Sequence, residues 1–322
     1  MTMPSTTLRP IIDVHTHLSP ERFSVAVSLM DQAGLASMVN LNGGFGDDLH
    51  AAQRAAARSP GRILNFCRLN WEDIDNPAFG KREADELARS KAAGALGLKV
   101  PKTLGLRLRG NTGSLVAVDD ARFDPVWEAA GALDLPVLIH TADPVDFWLP
   151  VDEKNPSYAT LKARPQWSYH GSDVAPHREL LSQRDRVVAR HRSTVFIYAH
   201  MGDAIEDIEY LSCELDKNPH LHLDTSARCN RMGRQDTRAV REFFLKYQDR
   251  ILFGTDAGAN LKSEKDLSAV AEFYRRHWVF FESDREDLAP FTRDLRITGI
   301  DLPEAVLQKV YWRNSRRLLG LE

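Results

Sequence analysis

Eight short apolar or β-branched runs recur along the 322-residue chain, each set off from the next by a segment of helical character. They are "IIDVH" (11–15), "LASMVNL" (35–41), "ILNFCRL" (63–69), "ALGLKV" (95–100), "PVLIH" (136–140), "VFIYAH" (195–200), "LHLDTS" (221–226) and "ILFGTD" (251–256). Between them lie amphipathic stretches such as "DPVWEAAGAL" (124–133) and "HRELLSQRDRVVARH" (177–191). Alternating strands and helices imply parallel strands joined by crossover helices. Eight such units are the makings of a closed (β/α)8 TIM barrel, which takes about 250 residues. An open doubly wound sheet is the rival, but its GxGxxG phosphate turn is missing. "NGGFGDD" (42–48) is glycine-rich without that spacing and reads as a flexible loop.

The expectation is therefore one α/β domain over residues 1–322. The longest connection follows the fifth strand, an insertion of about 141–192 between strands five and six, long enough for a functional loop or lid. The last helix is marked by Asp301 as a cap, Glu304 at capping-box spacing, and an apolar stripe of Leu307, Val310, Tyr311 and Leu318. Asn314 falls on that stripe, where a satisfied core amide is the better reading.

Charge and composition exclude several classes of partner. The formal net charge of -3 offers no basic excess to neutralise nucleic-acid phosphates. No run approaches the roughly 18 apolar residues of a membrane helix, and "MTMPSTTLRP" has no apolar signal region. Cys67, Cys213 and Cys229 are odd in number and lack CxxC spacing, which predicts reduced thiols and a cytoplasmic location.

The ends of the strands carry the chemistry. Strand one ends in His15 and His17, strand five in His140, strand six in His200 and strand eight in Asp256. In a (β/α)8 barrel the C-terminal strand ends open onto one face. Closure makes strands one and eight neighbours, so Asp256 falls beside the HxH pair and His140 approaches from the opposite wall. Three imidazoles and a carboxylate meeting there suit Zn²⁺ with an open position for water. Asp13, two residues before His15, shares its face by alternation, and either supports the ligands from behind or reaches a backbone group.

On these residues the chain resembles the amidohydrolase superfamily of metal-dependent barrels, in the branch containing aminocarboxymuconate-semialdehyde decarboxylase. "IDVHTHLSP", "GALGLKVP", "DARFDPVWEAAGALDLPVLIHTADP", "VFIYAHMGD", "RILFGTDAG" and "LPEAVLQKVYWRNSRRLLGL" carry the likeness and follow the family's order. The resemblance implies that His15, His17, His140 and Asp256 hold one divalent ion, zinc, and that His200 is the catalytic histidine. Asp256 would also take a proton from water. In binuclear relatives a carbamylated lysine at the position of Lys99 bridges two ions, but "GLKVP" is more similar to the mononuclear branch. Members of this branch commonly pair, so a homodimer is expected, with the aromatics of the insertion suiting an interface.

Lys99 at the end of strand four is either an ammonium beside the substrate or a structural lysine. Arg228 after strand seven, and Arg68 with Asn70 after strand three, suit an anionic, carboxylate-bearing small molecule, or else form surface ion pairs. Arg107 and Arg109 read as solvated loop charges. Phe147, Trp148, Trp167, Tyr169 and His170 either wall the pocket, with Trp148 against the substrate, or pack the insertion. Cys229 has no base beside it and is not read as a nucleophile. Three functions follow. The first is a hydrolase of an ester, lactone or amide in a small carboxylated molecule. The second is a non-oxidative decarboxylase of a small unsaturated or aromatic acid. The third, a silent binding barrel, predicts a missing ligand, and none is missing.

Overall fold

The structure, a computed structural model of the chain, describes residues 10–258, 267–292 and 294–321. All eight expected strands form: β1 (Ile12–Thr16), β2 (Ser37–Asn40), β3 (Ile63–Asn65), β4 (Leu98–Val100), β5 (Val137–Ile139), β6 (Phe196–Tyr198), β7 (Leu221–Asp224) and β8 (Ile251–Leu252). They pair in parallel as β1-β2-β3 and β4-β5-β6-β7-β8. A parallel bridge between Cys67 and Leu98 joins the two runs, and one between Thr16 and Ala257 closes the ring. Main-chain bonds line that seam: Val14 N to Phe253 O (2.9 Å), Asp256 N to His15 O (2.8 Å) and His17 N to Ala257 O (2.8 Å). The fold is the (β/α)8 barrel.

Alternation along the strands builds two concentric cores. Ile12, Val14, Val39, Leu41, Leu64, Phe66, Leu138, Ile197 and Leu252 form one buried cluster inside the ring, with Leu319 of the last helix packed onto it. Their neighbours Met38, Ile63, Val137, Phe196, Leu221 and Phe253 face outward into the helix layer, in one cluster with Trp127, Leu180 and Phe244. Alternation fails at two places. In β1 the register against β2 slips between Asp13 and Thr16, a bulge that separates the faces of Asp13 and His15. After β6, the residues His200, Met201, Gly202 and Asp203 all take positive φ, +58°, +51°, +64° and +55°.

Three expectations are corrected here. The glycine-rich stretch after β2 is not a loose loop: a Cβ on Gly43 would lie 2.3 Å from the Phe66 carbonyl oxygen, and the helix Gly46–Ala56 begins within it. The last helix starts at Glu304 with Pro303 at its cap and no side-chain cap; Asp301 plays no part. A residue before proline is biased away from helical geometry, so Leu302 cannot open the helix that Asp301 would cap. The connection after β5 contains its own crossover helix, His177–Arg190, so the inserted part ends before it. That part holds short helical turns at Val145–Trp148, Tyr158–Ala163 and Pro165–Trp167.

Among the described residues no helix is long and apolar enough to cross a membrane. Cys67, Cys213 and Cys229 are all free thiols. Asn314 donates from Nδ2 to the carbonyls of Gln248 (2.7 Å) and Ile251 (2.9 Å), while its Oδ1 is buried with no partner among the described residues, so the expected core amide is only half satisfied.

His277, on the helix Leu267–Glu282, is fully buried against Phe253, Phe273 and Tyr274. Its Nδ1 donates to the Phe273 carbonyl at 2.9 Å, and its Nε2 has no partner among the described residues. Burial lowers its pKa from 6.5 to about 4. As pH falls, the unfolded chain takes up this proton first, so stability drains away between pH 6.5 and 4. Thermal unfolding from pH 7 to pH 4 should show Tm falling over that window, with a shallower slope in His277→Leu.

Candidate metal centre on the active face

The bulge in β1 and the closure of the ring bring three groups together. His15 Nε2, His17 Nε2 and an Asp256 carboxylate oxygen form one compact set, with His17 Nε2 3.2 Å and His15 Nε2 3.7 Å from Asp256 Oδ1. The other ring nitrogens fix the tautomers. His15 Nδ1 lies 2.8 Å from Asp224 Oδ2, a carboxylate that only accepts, so Nδ1 carries the proton. His17 Nδ1 lies 3.0 Å from Asn42 Oδ1 and donates likewise. Both Nε2 lone pairs therefore face the carboxylate, and His15 Nε2 is buried without a hydrogen-bond partner among the described residues. Two lone pairs and an anion in one place repel each other unless a cation or an added proton sits among them.

Asp13, contrary to simple alternation, points away from this set. Its carboxylate accepts from His15 N (3.1 Å), Thr255 N (3.0 Å), Thr255 Oγ1 and Tyr274 OH (2.7 Å). It thus reaches backbone groups, and because one of them is the N–H of His15 it also supports that histidine from behind.

His200 faces the set from the next wall, its ring centroid 4.7 Å from that of His15 and 4.2 Å from that of His140. Its Nδ1 lies 3.0 Å from the Ser226 carbonyl oxygen and so carries the proton, leaving the Nε2 lone pair for chemistry. Its backbone N–H donates to Asp224 Oδ1 at 2.8 Å. Asp224 thus orients His15 with one oxygen and the His200 backbone with the other. Sequence reading passed over it, although it ends β7 just as His140 and Asp256 follow their strands. Asn42 and Ser226 were also missed, because each acts only through a histidine. His140 stands beside His200, but its Nε2 donates to the Ala142 carbonyl at 2.8 Å, and it is not in the compact set with Asp256. A carbonyl two residues along the chain has captured the nitrogen expected at the metal.

Burial lowers the pKa of His15, with Lys99 nearby adding to the effect. It also holds His140 and His200 well below their ordinary value, aided by the nearby Lys99 and Arg228 charges respectively. All three are neutral at pH 7, the state a metal ligand requires.

The cations expected to meet a substrate have divided. Arg228 is buried and donates to Asp203 Oδ1 at 2.7 Å. Arg68 donates from Nε to the Leu41 carbonyl at 2.9 Å and from Nη2 to Asn42 Oδ1, so it braces the support of His17. Lys99 is fully buried, and its Nζ has no hydrogen-bond partner among the described residues. Burial lowers its pKa to about 8, against the pull of Asp224 and Asp256.

Trp148 packs within the insertion: its indole N–H donates to Ala175 O at 3.0 Å and its ring lies 4.4 Å from Tyr169. Phe147 stacks on Trp167 at 6.2 Å. His170 is exposed, with Nδ1 3.3 Å from the Trp148 carbonyl. Arg107 is exposed, as is Arg109 with its partner Asp173. Cys229 is buried, and burial pushes its thiol pKa up, away from a nucleophile's range.

Comparison with known proteins places the frame. No curated protein sequence matches the chain significantly. Among solved structures it is similar to 2,6-dihydroxybenzoate decarboxylase complexed with 2,6-dihydroxybenzoate, with TM-score 0.57 and 18% identity over 97% of this chain and 99% of that one. Dihydroorotase from Campylobacter jejuni gives TM-score 0.54 and 14% identity over 100% of this chain and 86% of that one. An amidohydrolase from Burkholderia multivorans with bound zinc gives TM-score 0.51 and 14% identity over 96% and 99%. At such identities these likenesses speak for the fold. The family model for Amidohydrolase matches residues 12–321, from the first strand of the barrel to its last helix, and the chain belongs to that family of enzymes.

Proposed function

We propose that the chain is a metal-dependent hydrolase that opens an ester, lactone or amide bond in a small carboxylated molecule. The convergence of His15 Nε2, His17 Nε2 and Asp256 Oδ1, with both imidazoles held in the tautomer that presents a lone pair, carries this reading. This donor set, two neutral nitrogens and a carboxylate, fits one Zn²⁺. His140 would complete it on giving up its bond to Ala142. A zinc ion bound there would lower the pKa of a water from about 15.7 toward 7 and polarise the scissile carbonyl.

The remaining work belongs to side chains. His200, with Nδ1–H anchored on Ser226, accepts or returns a proton at Nε2. Asp256 is the second acceptor for the proton of water. Lys99, the buried cation left without a partner, binds the substrate's carboxylate, whereas Arg228 and Arg68 hold the site's own groups.

A second reading is a non-oxidative decarboxylase of a small unsaturated or aromatic acid. The likeness to 2,6-dihydroxybenzoate decarboxylase over nearly the full length of both chains favours it. Turnover in H₂¹⁸O separates the two: label in the product marks the hydrolase, and CO₂ release without label marks the lyase. We also propose a homodimer. The insertion's aromatics pack inward, but Val145, Leu149 and Val151 beside them are exposed. Light scattering giving only monomer at micromolar concentration would exclude it.

Metal analysis of the purified protein should find one zinc per chain; two would point instead to a second ion bridged by carbamylated Lys99. The His15→Ala/His17→Ala variant should lose the ion. Asp224→Asn should weaken its retention against a chelator by roughly 10–100-fold, the usual cost of removing a carboxylate behind a ligand histidine. His200→Ala should keep the zinc and lose roughly 10²–10⁴-fold in kcat. Zinc lost from that variant would make His200 a ligand.

Lys99→Met should raise KM for an anionic substrate more than it lowers kcat. Arg228→Ala should act first on stability, costing about 3–5 kcal/mol by stranding the buried Asp203 carboxylate. An Arg228→Ala enzyme of normal Tm and greatly raised KM would return the substrate's carboxylate to Arg228.

A further inference from the structure

We propose that Arg184, outside the candidate site, is a positioning residue whose guanidinium clamps the left-handed turn that carries His200 and Asp203 onto the active face. The inference rests on the reading of His200 as the proton-transfer group.

On β6 the side chains alternate, with Ile197 in the inner core and Tyr198 in the helix layer. A strand continued regularly would send His200 to the same side as Tyr198, away from His15. The chain instead makes a turn in which four successive residues, His200 to Asp203, take positive φ. Three of them are L-residues other than glycine, for which this conformation is unfavourable at every step. Such a turn persists only where surrounding contacts over-determine it.

Several contacts hold it. Toward the site, Asp224 Oδ1 accepts from His200 N at 2.8 Å, His200 Nδ1 donates to the Ser226 carbonyl at 3.0 Å, and Asp203 accepts from Ala142 N at 3.2 Å and from Arg228 Nη2 at 2.7 Å. One more comes from behind. Arg184, fully buried on the crossover helix His177–Arg190, donates from Nη1 to the Gly202 carbonyl at 2.8 Å. Its guanidinium carbon lies 3.5 Å from the centroid of the Tyr198 ring, two residues before His200.

A buried arginine needs an anion, and Asp185 supplies it, with contacts of 3.3 Å to Nε and 3.1 Å to Nη2. Tyr198 and Tyr210 also donate to Asp185, and Tyr210 OH accepts from Arg184 Nη2 at 2.9 Å. That network matches the charge through Nε and Nη2 and leaves Nη1 for the Gly202 carbonyl, in the middle of the strained turn. A rigid, planar fork seated on Tyr198 fixes where that carbonyl sits relative to β6, which a flexible ammonium does less well.

The test uses the full zinc-loaded chain. The ¹⁵N–¹H imidazole signals of His200 are assigned by their loss in His200→Ala, and zinc content, Tm, kcat and KM are measured for Arg184→Gln and Arg184→Lys. Arg184→Gln should retain zinc, shift or split the His200 signals while those of His15 and His17 hold, and lower kcat by roughly 10- to 100-fold with KM little changed. Arg184→Lys, which can still reach one carbonyl, should recover part of both.

Unchanged His200 signals and kcat in a folded Arg184→Gln protein, with only Tm reduced, would overturn the proposal. Should that variant not fold, Arg184→Met/Asp185→Asn removes both charges together, a change buried pairs tolerate better, and its signals are read the same way. The imidazole signals do not depend on turnover. If His200→Ala keeps full activity, the catalytic reading fails while the signals still decide for or against the clamp.

Discussion

One buried carboxylate holds the seam on which the site depends. Asp13 collects four hydrogen bonds, from two main-chain N–H groups and two hydroxyls, and these tie β1 to the residues after β8 and to the helix outside them. Burial raises its pKa to about 6, and the four donors pull the other way. Were the ring open at this seam, β1 and β8 would be opposite edges of a sheet and Asp256 would stand far from His15 and His17. The cluster of His15, His17 and Asp256 is thus a product of closure, and closure places a charged group where an apolar residue would otherwise pack. The bulge beside Asp13 completes the arrangement, since it lets one short strand turn Asp13 outward and His15 inward.

This division explains what could be read from the sequence. Parallel strands buried on both faces are continuous apolar runs, so the eight strands and their order were visible, with boundaries generous by one to several residues. Polar residues at the ends of such runs have few roles, so His15, His17, His200 and Asp256 were visible too. The bulge and the left-handed turn were not, because each breaks the two-residue period from which facing was inferred. Asp13 was accordingly put on the face of His15. Asp224, Asn42 and Ser226 work through a neighbour's second nitrogen, and nothing in a single residue's position announces that. His140 was placed correctly in the barrel, but the local bond to Ala142 is not a property of the pattern.

The cations follow a similar rule. A guanidinium cannot shed its charge, so a buried arginine must be matched by acceptors within the fold. Arg228, Arg68 and Arg184 have all been matched, to Asp203, to Leu41 and Asn42, and to Asp185 and Gly202. Lysine differs, because its ammonium can lose a proton when desolvated, and Lys99 sits buried without a hydrogen bond among the described residues and with its pKa brought to about 8. Sequence alone ranks arginine first for a carboxylate substrate. Burial separates the two types, engaging the arginines within the fold and leaving Lys99 with no hydrogen bond among the described residues.

Backbone strain is distributed in the same way. Of the non-glycine residues with positive φ, His200, Met201, Asp203, Ala227 and Asp256 all lie just beyond β6, β7 and β8. The lower parts of those strands are regular and packed with Leu, Ile and Phe; the irregular ends carry the histidines and carboxylates. An inner apolar layer can stiffen the frame but cannot aim a side chain that leaves the strand period. Aiming falls to buried polar groups: Asp224 on the His200 N–H, Asp13 on the His15 and Thr255 N–H groups, and Arg184 on the Gly202 carbonyl. Each of these groups also bonds side chains, but these aiming bonds are to main chain. A main-chain bond fixes the direction in which a residue projects before its rotamer is chosen, and that is the constraint a compact ligand set requires.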